Sequence, residues 1–307
     1  MQASGVMFHH FHGAGHTASQ GSIDAEALDA LIDHVGATRF LPARDWLDRF
    51  TRGALDDHLC LSFDDGLRCQ IDVARPVLDA RGLTAFWFVP SAILDGVPHR
   101  LELYRHFRCT AFDTLDDFYR AFEERAARAQ RGVALPELNR FVPERYLAEF
   151  PFYTNADRRF RFVRDEILGP DEYERVLDGM MVDRGYDLEA CGRLWVDDDD
   201  LRSLTRDGHL IGLHSHTHPT RLGELPVDRQ RHEYETNHDR LHRATGEAPV
   251  SMSHPCNSYT SDTHAILGAL GIQVGFRSNT TPVGDHRYER PREDHANVIA
   301  QMRKVLG

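Results

Sequence analysis

The chain has 307 residues, 41% hydrophobic and 27% charged, with 36 basic against 48 acidic side chains and a net charge of −12. That acidic balance argues against a nucleic-acid or anionic-membrane surface, and the length can bury a full core without staples. No apolar run reaches the roughly 20 residues of a membrane span. Five scattered cysteines (Cys60, Cys69, Cys109, Cys191 and Cys256) contain no CxxC pair, so neither a disulfide framework nor a zinc ribbon is expected. The opening MQASGVMFHHFHGAGH has no basic n-region and no apolar h-region, so no signal peptide is expected and a reducing cytoplasm fits.

Along the chain, short apolar runs alternate with helical patterns. Gly5–Phe11 is a candidate first strand, and Ala25–Val35 carries Leu28, Leu31, Ile32 and Val35 at the spacing of an amphipathic helix. Leu59–Phe63 is a short buried-type strand running straight into Asp64-Asp65-Gly66. A helix is predicted from Cys69 to Ala80 with Gly82 as its stop, then a β-prone run, Thr84–Val89. From 99 to 193 this rhythm breaks: Leu115–Ala129 and Asp171–Asp183 read as helices, with no convincing strand. The α/β rhythm resumes with His209–Leu213, Asp228–Thr245, Val250–Met252, Asp262–Leu270, Gln273–Phe276 and Ala296–Val305. Acidic Asp197–Asp200 precedes a helix and suits its N-terminal dipole better than a metal. The expected class is α/β with a parallel sheet or barrel, over 1–98 and 194–307, with a helical insertion or lid over 99–193.

Two clusters carry chemistry: Ser62-Phe63-Asp64-Asp65-Gly66 and His214-Ser215-His216-Thr217-His218. Both follow predicted strands, and ligands in α/β folds gather at the carboxyl ends of strands. Histidines four apart can face one ion together, and one carboxylate with two imidazoles leaves a position open for water, the pattern of catalytic zinc. Adjacent carboxylates point in different directions, so one of Asp64 and Asp65 can bind metal while the other serves as base.

These two motifs resemble those of the polysaccharide deacetylases, the NodB-homology proteins of carbohydrate esterase family 4: Ser62–Gly66 matches [T/S]-F-D-D-G and His214–His218 matches H-[S/T]-x-x-H. The resemblance implies a distorted (β/α) barrel over 1–98 and 194–307 and one divalent ion, zinc by preference with cobalt, nickel or iron as alternatives, held by Asp65, His214 and His218. Asp64 is then the general base. The family's R-x-P-[Y/F] motif is only partly kept: Pro255 aligns, but Ser253 stands at the arginine and Cys256 at the aromatic. The lost arginine steadies the catalytic aspartate in the family, so Arg290 or Arg292 is the candidate replacement, with Asp294 of the same segment as a further support residue. The Cys256 backbone N–H corresponds to an oxyanion donor.

The family's L-x-H general acid is not found. His286 and His295 lie in its region in another context, and the N-terminal cluster His9-His10-Phe11-His12 offers a second source. In a closed barrel the first strand lies beside the last, and alternation puts His10 and His12 on one side and His9 on the other. His10 or His12 is therefore the expected acid or substrate contact, with a second metal site at His12 and His16 as a weaker alternative. Phe63, Phe86, Trp87 and Phe88 are expected in the core, and Trp195 as a sugar-stacking candidate. The resemblance implies removal of an N-acetyl or N-formyl group from a nucleotide-linked, lipid-linked or terminal amino sugar during surface-polysaccharide (O-antigen or capsule) assembly. Self-association is left open. The competing expectation is an impaired barrel that keeps its metal and serves in sugar binding or assembly.

Overall fold

The computed structural model describes residues 3–129, 136–148, 153–187 and 193–306. It divides into two compact units, Met1–His99 with Arg193–Gly307, and Arg100–Gly192.

The first unit is built on β1 (Gly5–Phe8), β2 (Cys60–Asp64), β3 (Phe86–Val89), β4 (Leu210–Leu213), β5 (Ser251–Ser253), β6 (Val274–Phe276) and β7 (Arg292–Asp294). All pair in parallel in the order β6-β5-β4-β3-β2-β1-β7. A bridge between Phe276 and Arg290 brings the two outer edges together, so the sheet is a nearly closed barrel. The helices of this unit are α1 (Ala25–Val35), α2 (Ala43–Thr51), α3 (Arg75–Arg81), α8 (Asp198–Arg206), α9 (Val227–Thr245), α10 (Ser261–Ala269) and α11 (His295–Leu306). The expected helix over 69–80 is split: a π-helical stretch, Gln70–Ala74, precedes α3. The acidic run caps α8, because Asp197 and Asp200 bond reciprocally to each other's backbone N–H.

Alternation along the strands sorts the core into two layers. Leu61, Phe63, Trp87 and Val89 join the main cluster with the helices, while Cys60, Phe86, Phe88, Leu210, Val274 and Phe276 form a second cluster inside the barrel. Helix α2, not foreseen from the sequence, closes this inner cluster: Trp46 is fully buried and its ring lies 5.6 Å from Phe86 and 5.4 Å from Phe276. Strand β7 was also not foreseen, being three residues of charged sequence, Arg-Glu-Asp. It pairs with β1, Gly5 opposite Arg292.

The second unit contains α4 (Arg100–Thr110), α5 (Leu115–Ala129), α6 (Asn155–Phe162) and α7 (Gly169–Asp183), and no strand among its described residues. Its own core includes Phe107, Phe118, Phe122, Phe160, Tyr173 and Leu177. Thr154 and Asp157 form a capping box on α6.

Candidate active site

Strand β2 ends on Asp64, and its inward positions are Cys60, Ser62 and Asp64. The Asp64 carboxylate meets Arg292 from β7 in a two-pronged pair, Nη1 to Oδ1 at 2.7 Å and Nη2 to Oδ2 at 2.7 Å. The remaining donors of Arg292 reach Ser62 Oγ (3.0 Å), Ser253 Oγ (2.6 Å) and the Arg277 carbonyl (2.9 Å). Ser253, standing where the family has its arginine, donates its hydroxyl to Asp64 Oδ2 at 3.1 Å. Burial would lift the pKa of Asp64, but the charge and hydrogen bonds of Arg292 outweigh it and hold the carboxyl below its ordinary range. Of the two candidate arginines, Arg292 makes this contact. Arg290 pairs with exposed Asp285 at 2.7 Å.

Asp65 steps out of the strand with φ +74°, and Gly66 follows at φ +59°, where a Cβ would meet Val89, Ile93 and Val196 at 3.1–3.3 Å. The left-handed step breaks alternation and aims the second carboxylate differently from the first. Its Oδ1 lies 3.5 Å from Nε2 of both His214 and His218, and its Oδ2 lies 3.9 Å from Nε2 of His9. Ser215 and His218 also take positive φ, 59° and 57°. Non-glycine residues held there cost energy and concentrate at functional sites. Helix α9 holds the histidine turn in place. Fully buried Asn237 accepts the His214 N–H (2.9 Å) and donates to the Val89 carbonyl (3.0 Å), and Glu233 accepts from Thr217 N–H and Oγ1, each at 2.7 Å.

A further imidazole joins this group. His99 is 6% exposed, its ring lies 4.3 Å from that of His218, and both of its nitrogens are buried without a hydrogen-bond partner. Asp65 Oδ1 and His218 Nδ1 are orphaned too. Asp65, His99 and His218 each present a ligand atom within 4.8 Å of the others, the one such group among the described residues. Several orphaned donor atoms facing each other in a buried pocket fit a divalent cation, since buried polar groups otherwise find partners. His214 Nδ1 is held by the Ser253 carbonyl at 2.9 Å, which leaves Nε2 toward Asp65. Burial, followed by repulsion from His99 and His214, pushes the His218 pKa well down, so its imidazole is neutral and keeps a lone pair. His214 is raised instead: burial opposes its charge, but Asp65 and Asp64 prevail.

Strand β1 ends at Phe8, so the strict alternation expected through His12 does not continue. His9 is the residue brought to Asp65, and the His10 ring stacks on it at 6.0 Å. His12 turns to Ser22 (3.0 Å) and Asp24 (3.8 Å), the N-cap of α1, and His16 pairs with Asp72 at 2.9 Å, so these two do not converge on a second metal site. Asp294 accepts the Ala296 N–H at 2.8 Å at the start of α11 and supports that helix, not Asp64. Cys256 is exposed after β5, with φ +51°. His295 is buried against the Gly21 carbonyl (2.8 Å), and His286 stacks on His264 at 4.3 Å. Phe63, Phe86, Trp87 and Phe88 are core residues, and Trp195 is partly buried against the main core cluster. His9, His99, Ser253, Asn237 and Glu233 were missed as site residues. His9 had a signal in its place in the histidine cluster, and Ser253 in its alignment with the family's arginine.

The family model described as "Polysaccharide deacetylase" matches residues 177–275, which take in His214, His218 and Ser253 and leave Asp64 and Asp65 outside. The chain resembles the polysaccharide deacetylases in sequence and in fold. Among solved structures, it is similar to the deacetylase PplD of Streptococcus pyogenes in complex with acetate (TM-score 0.56, 13% identity, 97% of each chain covered). It is also similar to IcaB from Ammonifex degensii (TM-score 0.55, 14% identity, covering 96% of this chain and 94% of that one). A third is the de-N-acetylase of Aggregatibacter actinomycetemcomitans (TM-score 0.52, 14% identity, 97% and 98% covered). At these identities the likeness is one of fold, the deacetylase (β/α) barrel. No curated protein matches the chain in sequence. No helix among the described residues is long and apolar enough to cross a membrane.

Proposed function

We propose that the chain is a metal-dependent hydrolase that removes an N-acetyl or N-formyl group from an amino sugar, in the assembly of a bacterial surface polysaccharide. The observation that carries this reading is Asp65. It is a buried carboxylate with an unpartnered oxygen 3.5 Å from two imidazoles, next to an Asp64 fully gripped by Arg292. Asp65, His214 and His218 would hold the ion, zinc by preference, and His99 is placed to join them. When bound, such an ion lowers the pKa of water to about 7 and polarises a carbonyl.

The chain's own residues supply the rest. Arg292 keeps Asp64 ionised and fixed, so the carboxylate can orient the attacking water and accept its proton. We assign the Cys256 N–H to the developing oxyanion, where losing one such donor typically costs about 2.7–4 kcal/mol. His9 takes the place assigned above to His10 or His12: it is the N-terminal imidazole next to the centre, suited to protonating the departing amine.

One observation favours a second reading, a barrel that binds metal and sugar without turnover. Both Asp64 oxygens already accept hydrogen bonds, and a carboxylate so satisfied is a weak base. The test is acyl release from a panel of N-acetyl and N-formyl amino sugars, free and nucleotide-linked, by the wild type and Asp64→Asn. The first reading expects release of acid and free amine in equal amounts, lowered about 10²–10⁴-fold in the variant. Sugar binding without release would establish the second, and neither binding nor release would overturn both.

A further inference from the structure

The helical unit buries positive charge that meets no ion-pair partner among the described residues. Arg108 on α4 is 5% exposed and its guanidinium lies 5.5 Å from the Phe160 ring. Arg161 on α6 lies over Tyr153 at 4.0 Å. The Nε atoms of both are buried without a hydrogen-bond partner, and neither guanidinium makes an ion pair or hydrogen bond among the described residues. The carboxylates nearby are already committed. Asp157 is taken by the Tyr119 hydroxyl and by Thr154, and Asp165 by Arg164 at 2.6 Å and Tyr146 at 3.1 Å.

A guanidinium whose Nε is removed from water with no acceptor loses hydration there and gains nothing in return, a cost that a bound anion would offset. The charges also act on one another. Burial first, with Arg108 adding to it, pulls the Arg105 and Arg161 pKa values below the usual guanidinium range, against the opposing pull of Glu102 on Arg105 and of Tyr153 and Asp157 on Arg161. Two guanidiniums with no ion pair among the described residues match one dianion, whereas a carboxylate would leave one of them without a partner. The planar fork of arginine fits phosphate oxygens in pairs.

We propose that Arg108 and Arg161 form a binding site in the helical unit for a phosphate-type dianion, the phosphate of a small ligand or the free ion, walled by the rings of Phe160 and Tyr153. The site does not rest on the hydrolase reading, and its test involves no turnover.

The test is thermal unfolding of the whole chain at fixed ionic strength, titrated with inorganic phosphate, with uridine diphosphate, and with acetate as control. Wild type is compared with Arg108→Met and Arg161→Met. The expected result is a saturable rise of the wild-type midpoint with phosphate or uridine diphosphate and none with acetate. In Arg108→Met the apparent affinity falls at least about tenfold, as for loss of a charged hydrogen-bond donor. A larger rise with uridine diphosphate assigns an organic phosphate, and equal rises assign the free ion. Should Arg108→Met fail to fold by circular dichroism, Arg161→Met carries the same comparison. No saturable rise in the wild type, or a rise that a folded variant keeps in full, would overturn the site.

Discussion

Two guanidiniums, one in the barrel and one in the helical unit, are buried to a similar degree and treated in opposite ways. Arg292 is 0% exposed and directs all of its donors at acceptors: the Arg277 carbonyl, Ser62, Ser253 and both oxygens of Asp64. Arg108 is 5% exposed, and its guanidinium lies against the Phe160 ring with no ion pair or hydrogen bond among the described residues. A satisfied buried charge builds structure, and an unsatisfied one marks a place for something the chain does not itself supply. The same contrast separates neighbours in sequence: both oxygens of Asp64 accept hydrogen bonds, while Asp65 keeps an orphaned oxygen.

The contrast can be broken most sharply at Arg292. Arg292→Leu leaves Asp64 buried and unpaired, and urea unfolding should show a loss of about 3–5 kcal/mol. A loss below 1 kcal/mol would mean that water or another cation replaces it.

His209 sharpens the comparison, as a buried group satisfied only when neutral. Its Nδ1 accepts from Ala85 N–H (3.0 Å) and Trp87 Nε1 (3.1 Å), and burial, with Arg75 adding, pushes its pKa down to about 4. The unfolded chain, with an ordinary value near 6.5, takes up the proton first as pH falls. Stability from this site is therefore complete above pH 6.5 and drains away down to about pH 4, by roughly 3 kcal/mol. Denaturation curves across that window should be flatter in His209→Gln than in the wild type.

Asn237→Ala removes two buried hydrogen bonds that fix His214 to β3, and should cost about 2 kcal/mol. It should also loosen metal binding, read by competition with a chelator dye. Smallest in size and opposite in sign is Arg108→Met. Without phosphate its stability should equal or exceed the wild type by at most about 1 kcal/mol, where the loss at Arg292 is severe.

The readable part of this molecule was what local pattern controls. Apolar runs marked β1 to β6, and acidic and glycine stops marked most barrel helices, because side-chain periodicity and capping act within a few residues. Ser62–Gly66 and His214–His218 were readable because each ligand set is contiguous. Strand β7 was not, since Arg292-Glu293-Asp294 is a strand by virtue of its pairing with β1, not of its composition. The reading of Arg292 as a partner for Asp64 came from the missing family arginine, yet the role of Ser253 as a link between them needed coordinates. His99 carried no signal, because nothing within ten residues of it matches a metal motif and its partners are distant in sequence. His9 was set aside by extending alternation past Phe8, where the strand stops.

The most direct measurement of the central claim is metal content of the purified chain after dialysis and reconstitution with zinc, beside Asp65→Asn, His218→Ala and His99→Ala. The account expects one ion per chain in the wild type, none retained in the first two variants, and weaker retention in His99→Ala with a changed visible spectrum of the cobalt form. No bound ion after reconstitution with zinc, cobalt or nickel would contradict it, as would an ion kept unchanged when Asp65 is replaced.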